Sequence, residues 1–269
     1  MSKKVTILIP NYKTLDITKI CMRLIRKHTN FDIVNIIVVD NGSADASLEY
    51  LRTLSWIKLI ERTVIKGESG PISHSRALDL ALNIVETPFV LSIHTDTFVK
   101  NDQWINVLLE PFKNNPNLAG VGSWKLESKS KFQLLGYKIE QFWKYALFKL
   151  YGYQGYNKER LDVNAHYLRS HCAMYKTEIV KSLNTCFSDG NETAGKVMHQ
   201  KIIAAGYEML FLSSAKLGQY VDHLNHATMI LNPELGSGKK NVRQGNKRIQ
   251  QKLRGIDAST ILTDTTLDL

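Results

Sequence analysis

The run FVLSI at residues 89–93, bounded by Pro88 before it and polar residues after it, constrains this chain more than any other stretch. So short and nearly continuous an apolar run fits a strand buried on both faces of a parallel sheet, because a half-exposed strand would alternate. His94, Thr95 and Asp96 follow at its carboxyl end, where open α/β sheets place their ligands. An imidazole and a carboxylate two residues apart can turn toward one divalent cation and a phosphate. The alternative is a strand that ends in polar residues facing water.

The flanking chain repeats the pattern. Residues 5–9 (VTILI), closed by Pro10 and Asn11, read as a first strand. Thr14 or Asp16 can cap the next helix, whose Ile17, Ile20, Cys21, Leu24 and Ile25 recur every three or four residues. A second strand at 36–39 stops at Asp40-Asn41-Gly42-Ser43, and Asp45 lies in the first turn of a helix over 46–54. A weaker strand at 57–60 precedes a loop at 66–73 (KGESGPIS) and a helix that buries Ala77, Leu78, Ala81, Leu82 and Val85. Three alternations of strand and helix imply right-handed crossovers and an α/β fold, its sheet mostly parallel with helices on both faces.

The second half is less regular. A helix is expected at 101–112, a glycine-containing strand open to close approach at 118–123, a strand at 167–176, a helix at 192–205 closed by Gly206, and a strand at 209–212. Between them, 132–153 reads as an amphipathic helical insertion with aromatic and aliphatic residues on one stripe and Lys138, Lys144 and Lys149 off it. It is either an ordinary core helix or one that grips lipid or a greasy acceptor. His223 and His226 lie in 221–231. From 236 the chain is a basic C-terminal segment with Lys239, Lys240, Arg243, Lys247, Arg248, Lys252 and Arg254, and its last dozen residues are expected to fray.

A net charge of +10 on 269 residues calls for an anionic partner: nucleic acid, a phosphorylated small molecule or an anionic membrane surface. The aromatics fall in apolar stripes and no nucleic-acid motif is present, so nucleic acid ranks last. Three unpaired cysteines argue for a reducing compartment and against a disulfide framework or zinc ribbon. Lys3 and Lys4 lead directly into a five-residue apolar run, so no secretory leader is expected. Nothing approaches the ~18–20 apolar residues of a membrane span, and a cytoplasmic protein, at most resting on the inner face of the cell membrane, is expected.

Several of these pieces together resemble glycosyltransferase family 2. They are the strand ending in Pro10-Asn11-Tyr12, the strand ending in Asp40-Asn41-Gly42-Ser43, the Ser75-Arg76 pair and the strand ending in His94-Thr95-Asp96. The resemblance covers about the first 125 residues well and the rest loosely. It implies a GT-A, Rossmann-like fold in a single domain over 1–269: a nucleotide-sugar half (1–125), an acceptor half (126–235) and the basic tail (236–269). It also implies an inverting hexosyl- or deoxyhexosyltransferase with a UDP-, dTDP- or GDP-linked donor. The acceptor would be a glycan or lipid-linked molecule of bacterial surface polysaccharide synthesis, and the cofactor Mn²⁺ or Mg²⁺.

By the same resemblance Pro10, Asn11, Tyr12, Asp40, Arg76, His94, Thr95 and Asp96 bind the donor, with Asp40 on the nucleoside and Arg76 facing the diphosphate. Asp96 takes the second acidic position of the family's Asp-x-Asp motif and would ligate the metal. The first position is His94, a departure that suits Mn²⁺ better than Mg²⁺. His223 matches a late histidine that reaches back to the metal or the diphosphate. The family's acidic pair falls here on Ala194 and Gly195, so the base is assigned to Glu192, then Asp189, with His199 third. A metal-dependent nucleotidyltransferase acting on sugar phosphates is the competing reading; the missing glycine- and basic-rich loop after the first strand counts against it.

Overall fold

The computed structural model describes residues 2–124, 126, 166–225, 227–232 and 239–269. The expected insertion at 132–153 and His226 lie outside the described residues. In chain order the elements are β1 (Val5–Asn11), α1 (Leu15–His28), β2 (Val34–Asp40), α2 (Ala46–Thr53), β3 (Lys58–Glu61), α3 (Gly70–Leu82), β4 (Phe89–Ile93), β5 (Thr97–Val99), α4 (Trp104–Lys113) and β6 (Leu118–Gly122). After them come β7 (Cys172–Lys176), α5 (Thr177–Ser182), α6 (Lys196–Ala204), β8 (Glu208–Phe211), α7 (Ser214–Leu217), β9 (Val221–His223), α8 (Ala227–Leu231), α9 (Lys239–Gly255) and α10 (Ala258–Thr263).

The main sheet has the order β3-β2-β1-β4-β7-β6-β8, and β5 pairs with β9 in a small separate ribbon. The first four strands are mutually parallel; β7 runs antiparallel to both β4 and β6, and β8 is parallel to β6. Strand periodicity divides the core. Val5, Ile7 and Ile9 pack with Ile17, Ile20 and Cys21 of α1 and with Trp104 and Leu108 of α4, whereas Leu8, Ile37 and Val39 pack with Ala77, Leu78 and Ala81 of α3 and with Met198 and Ile202 of α6. Helices therefore cover both faces.

Two registers position the functional residues. Antiparallel pairing of Ile93 with Cys172 sets the chain just before β7 beside the end of β4. Pairing of Thr97 with His223 brings β9 back onto the residues that follow it. Gly122 permits the first: a Cβ there would meet the Cys172 carbonyl oxygen at 2.7 Å and the Ala173 Cα at 3.0 Å. The close neighbour of this glycine strand is thus the β7 backbone.

Several local expectations are corrected. Helix α3 begins at Gly70, inside the expected loop at 66–73, because Pro71 fits the first helical turn, where no amide is needed. The strand expected at 167–176 is confined to Cys172–Lys176, since Arg169 N donates to the Ser123 carbonyl (3.0 Å) and Cys172 N to the Arg169 carbonyl (3.2 Å), turning the chain. The helix expected from 192 starts at Lys196, after Asn191 (φ 52°) and Gly195 (φ 78°) in left-handed conformations. Thr14 stands at the cap of α1 without a side-chain capping bond, and Asp45 is the cap of α2, accepting from Ser47 N at 2.9 Å.

The carboxyl end does not fray. Asp268 clasps Arg23, whose side chain is 2 % exposed, through Nε–Oδ1 (2.9 Å) and Nη2–Oδ2 (2.5 Å), and it accepts from Tyr50 Oη at 2.7 Å. A buried guanidinium needs that partner, so the terminus is held down.

Candidate active site: a histidine–aspartate cleft at the strand tips

A cleft of about 820 Å³ crosses the carboxyl edge of the sheet. Asp96 sits on its floor, 5 % exposed. Its Oδ2 accepts from Ala227 N (3.1 Å) and its backbone carbonyl from Leu224 N (2.9 Å), so α8 and the end of β9 fix its orientation. Oδ1 points the other way, 3.0 Å from His223 Nε2 and 3.7 Å from His94 Nδ1. The 3.0 Å contact is close, yet its alignment is not that of an N–H···O bond: Asp96 Oδ1 and both His223 ring nitrogens lack a hydrogen-bond partner among the described residues. Buried polar atoms are seldom left so.

One donor atom from each of His94, Asp96 and His223 falls within 4.8 Å of the others, the span of donors around a single ion with bonds of about 2.0–2.2 Å. The set fits a divalent cation. Its supporting contacts also fit: His94 Nε2 is bonded to Ser170 Oγ (3.0 Å), leaving Nδ1 for Asp96, as the outer nitrogen of a ligating imidazole ordinarily is.

Two further histidines close around the group. His171 stacks on His223, with ring centroids 4.7 Å apart and planes 15° apart, and its Nε2 meets Ser123 Oγ at 3.2 Å. The His74 ring lies 4.5 Å from that of His94, and Ser170 Oγ bridges the two imidazoles. Among the described residues four histidines thus gather around one carboxylate. Burial pulls the His74 imidazole down to about 3, with His94 adding to the effect. Burial also lowers His94 and takes His171 well below the usual imidazole range. Burial alone would push the Asp96 carboxyl up, but His223 and His94 outweigh it and hold it well below the usual range. An Asp96 carboxyl held low, beside a His94 imidazole lowered by burial, suits cation ligation, which needs the carboxylate ionised and the imidazole unprotonated.

The other expected residues separate into two groups. Pro10, Asn11 and Tyr12 line the cleft, yet the Asn11 side chain is wholly buried and turned into the fold. It donates to Asp40 Oδ1 at 2.8 Å and accepts from Thr18 Oγ1 at 2.8 Å. Asp40 also accepts from Ser43 N (2.9 Å) and Ser43 Oγ (2.6 Å), so its carboxylate braces the turn after β2, and Asn41 and Gly42 form the wall there. Arg76 is 42 % exposed and bonds Glu68 Oε1 at 2.7 Å; Glu68 is also gripped by Arg62 at 2.7 and 2.8 Å and itself lines the cleft. Thr95 is buried and off the wall.

Glu192 is 47 % exposed and paired with Lys196; the next two residues, Thr193 and Ala194, line the cleft. Asp189 is bound by Thr185, Cys186 N and Lys201; burial pushes it up, but Lys201 and Thr185 outweigh that and hold it at about 2. His199 is buried away from the wall, its Nδ1 accepting from Leu168 N at 3.4 Å.

Sequence reasoning missed His74, His171, Ser170, Arg62, Glu68, Arg169 and Trp124. The available signal was the abundance of histidine beside polar residues at 73–75 and 170–171.

A ligand cleft at the carboxyl edge of a mostly parallel sheet, with a group on its floor that could hold a cation, is the arrangement of a doubly wound α/β enzyme of the nucleotide-binding type. The profile of Glycosyl transferase family 2 matches residues 6–183. The chain belongs to that family and is a glycosyltransferase. No curated protein matches it. Among solved structures it is similar to the Pyrobaculum calidifontis mannosyltransferase PcManGT in complex with GDP-Man and Mn²⁺, at 14 % identity and TM-score 0.58, covering 99 % of this chain and 76 % of that one. It is also similar to S. aureus TarS 1-349 (15 %, TM-score 0.53, 98 % and 73 %). A third is glucosyl-3-phosphoglycerate synthase from Mycobacterium tuberculosis in complex with phosphoglyceric acid (16 %, TM-score 0.52, 92 % and 80 %). At these identities the likeness is one of fold, and the fold is GT-A.

Proposed function

We propose that the enzyme transfers a sugar, with inversion, from a UDP-, dTDP- or GDP-linked donor to a hydroxyl of a glycan or lipid-linked acceptor in surface polysaccharide synthesis. The observation that carries this is the set of unpartnered buried atoms of Asp96 and His223 beside His94 on the cleft floor of a family 2 chain. These three residues would hold a divalent cation. Two imidazoles with one carboxylate favour Mn²⁺ over Mg²⁺, which prefers oxygen donors. Bound there, the ion would offset the negative charge of the departing diphosphate. Solved structures of similar fold that contain GDP-Man or UDP-Glc with Mn²⁺ support a donor of this class.

The donor's nucleoside lies along the β1–β2 tips, against Pro10, Tyr12, Asn41 and Gly42, in the half formed by residues 1–125. Asp40 and Asn11 keep those tips rigid through their mutual bond. Arg76 reaches the diphosphate on exchanging its Glu68 partner for phosphate. In the transfer the acceptor oxygen bonds to the anomeric carbon as the carbon–oxygen bond to the diphosphate breaks, and the hydroxyl proton passes to a base. Glu192 is that base: its pairing with Lys196 is at the surface, where such pairs contribute at most about 1 kcal/mol, and an acceptor can displace it. Asp189, fastened by Lys201, is a poor proton acceptor.

On α9, Arg243, Lys247 and Arg254 are exposed on one side, a face suited to the anionic inner surface of a membrane and hence to a lipid-linked acceptor. Among the described residues no helix is long and apolar enough to cross a membrane.

The test is a thermal-shift panel of UDP, GDP, dTDP and CMP, each with and without Mn²⁺. Stabilisation by one diphosphate that needs the metal is the expected result. A response confined to nucleoside triphosphates would instead favour a nucleotidyltransferase, and activity undiminished in Glu192→Gln would displace Glu192.

A further inference from the structure

On the far side of β4 from Pro10 and Asn41 the cleft wall changes character. The strand order β2-β1-β4-β7-β6 puts the nucleoside end on one side of His94 and the residues before β7 and after β6 on the other. At ~4.8 Å per strand, β1 and β7 are separated by about 10 Å. The wall beyond His94 carries Trp124 and Arg169.

Arg169 is held in place there. Its backbone is bonded at both ends, to the Ser123 carbonyl and from Cys172 N. Its guanidinium carbon lies 5.5 Å from the centroid of the Trp124 ring and 5.4 Å from that of Tyr167. Nη1 donates to Tyr167 Oη at 2.9 Å. The two rings meet edge to face at 5.0 Å, and His166 supports the Trp124 ring at 4.9 Å. Aromatic faces hold a guanidinium without consuming its donors. Among the described residues one of its five N–H groups is used and no carboxylate pairs with it. The contrast with Arg62 and Arg76 is plain, since both are spent on Glu68.

We propose that Arg169, braced by Trp124 and Tyr167, binds an anionic group of the acceptor. The acceptor is then a phosphorylated polyol or an acidic sugar, not a neutral one. The inference rests on the glycosyl-transfer reading and deepens it. A planar fork with four donors unspent among the described residues matches the oxygens of a phosphate or carboxylate, and the indole beside it suits the apolar face of a sugar ring. Its place beyond the cation group assigns it to the acceptor and not to the donor's diphosphate.

The test uses the full chain saturated with Mn²⁺ and the diphosphate that stabilises it. Glycerol 3-phosphate and glucuronate are titrated calorimetrically against glycerol and glucose, their neutral counterparts. Anionic probes are expected to bind at least tenfold more tightly. Arg169→Gln should abolish that preference and Arg169→Lys restore part of it, with the diphosphate dissociation constant unchanged within twofold in both. Equal or absent binding of charged and neutral probes overturns the inference. So does a tenfold loss of diphosphate affinity in Arg169→Gln with the preference intact, which would give the guanidinium to the donor. A wild-type chain that binds no diphosphate fails earlier, and takes the glycosyl-transfer reading with it.

Discussion

Replacing Asp96 by Asn removes one charge from the cleft floor while keeping the shape of the side chain. The amide oxygen can still accept from Ala227 N, as Oδ2 does now at 3.1 Å, so the metal-free fold should melt within about 2 °C of wild type. Cation binding should change far more. Loss of a residue that merely supports a ligand weakens metal affinity by about 10–100-fold, and loss of the single anionic ligand should reach at least the upper figure, about 2.7 kcal/mol. At a Mn²⁺ concentration a hundred times the wild-type dissociation constant, binding stabilises the wild-type fold by about 2.7 kcal/mol. An unfolding entropy of about 2.1 cal/mol/K per residue, over 269 residues, converts this to a rise of about 5 °C. The variant, with its dissociation constant now near that concentration, should gain about 0.4 kcal/mol, less than 1 °C. Differential scanning fluorimetry against Mn²⁺, with free Mn²⁺ counted by electron paramagnetic resonance, reads both quantities. An equal Mn²⁺-dependent rise in the variant would refute the assignment of Asp96 as a ligand.

Three other outcomes are expected. Asp268→Asn leaves the buried Arg23 guanidinium without its counter-charge, and should cost about 3 kcal/mol, or about 5 °C in melting temperature; a shift below 1 °C would return the terminus to a frayed state. Lys252 donates from α9 to Asp222 Oδ1 (2.6 Å) and to the His223 carbonyl (2.7 Å), so Lys252→Met should weaken Mn²⁺ binding about tenfold by loosening His223, and an unaltered Mn²⁺ titration would count against that clamp. The third concerns pH. Burial lowers His74 to about 3 and His199 to about 4 in the folded chain, whereas unfolded imidazoles titrate near ~6.5. Between those values the unfolded state binds more protons, so the metal-free protein should lose stability as pH falls from about 6.5 toward 4. Urea midpoints at pH 7 and pH 5 measure this, and equal midpoints contradict it.

The first half of the molecule was written locally. Strands β1, β2 and β4 are short β-branched or apolar runs stopped by polar residues, and α1 repeats its buried residues every three or four positions. These periods belong to the backbone itself, so the α/β layering and the tips that carry Pro10, Asp40 and His94 could be read without coordinates. Boundaries failed where a single backbone conformation decided them, as at Gly195, whose left-handed φ delays α6 to Lys196.

What the linear order could not contain is proximity between distant segments. His171 and Arg169 reach the cleft because β7 runs antiparallel against β4 with Cys172 opposite Ile93, and His223 because β9 pairs back onto Thr97. The carboxylates of Asp40 and Asp268 likewise took their partners from tertiary contacts, Asn11 for one and Arg23, 245 positions away, for the other. Composition and periodicity fix which residues are buried and in what kind of element. Which buried polar groups meet is decided by strand register, a long-range choice made by the packing of the whole core.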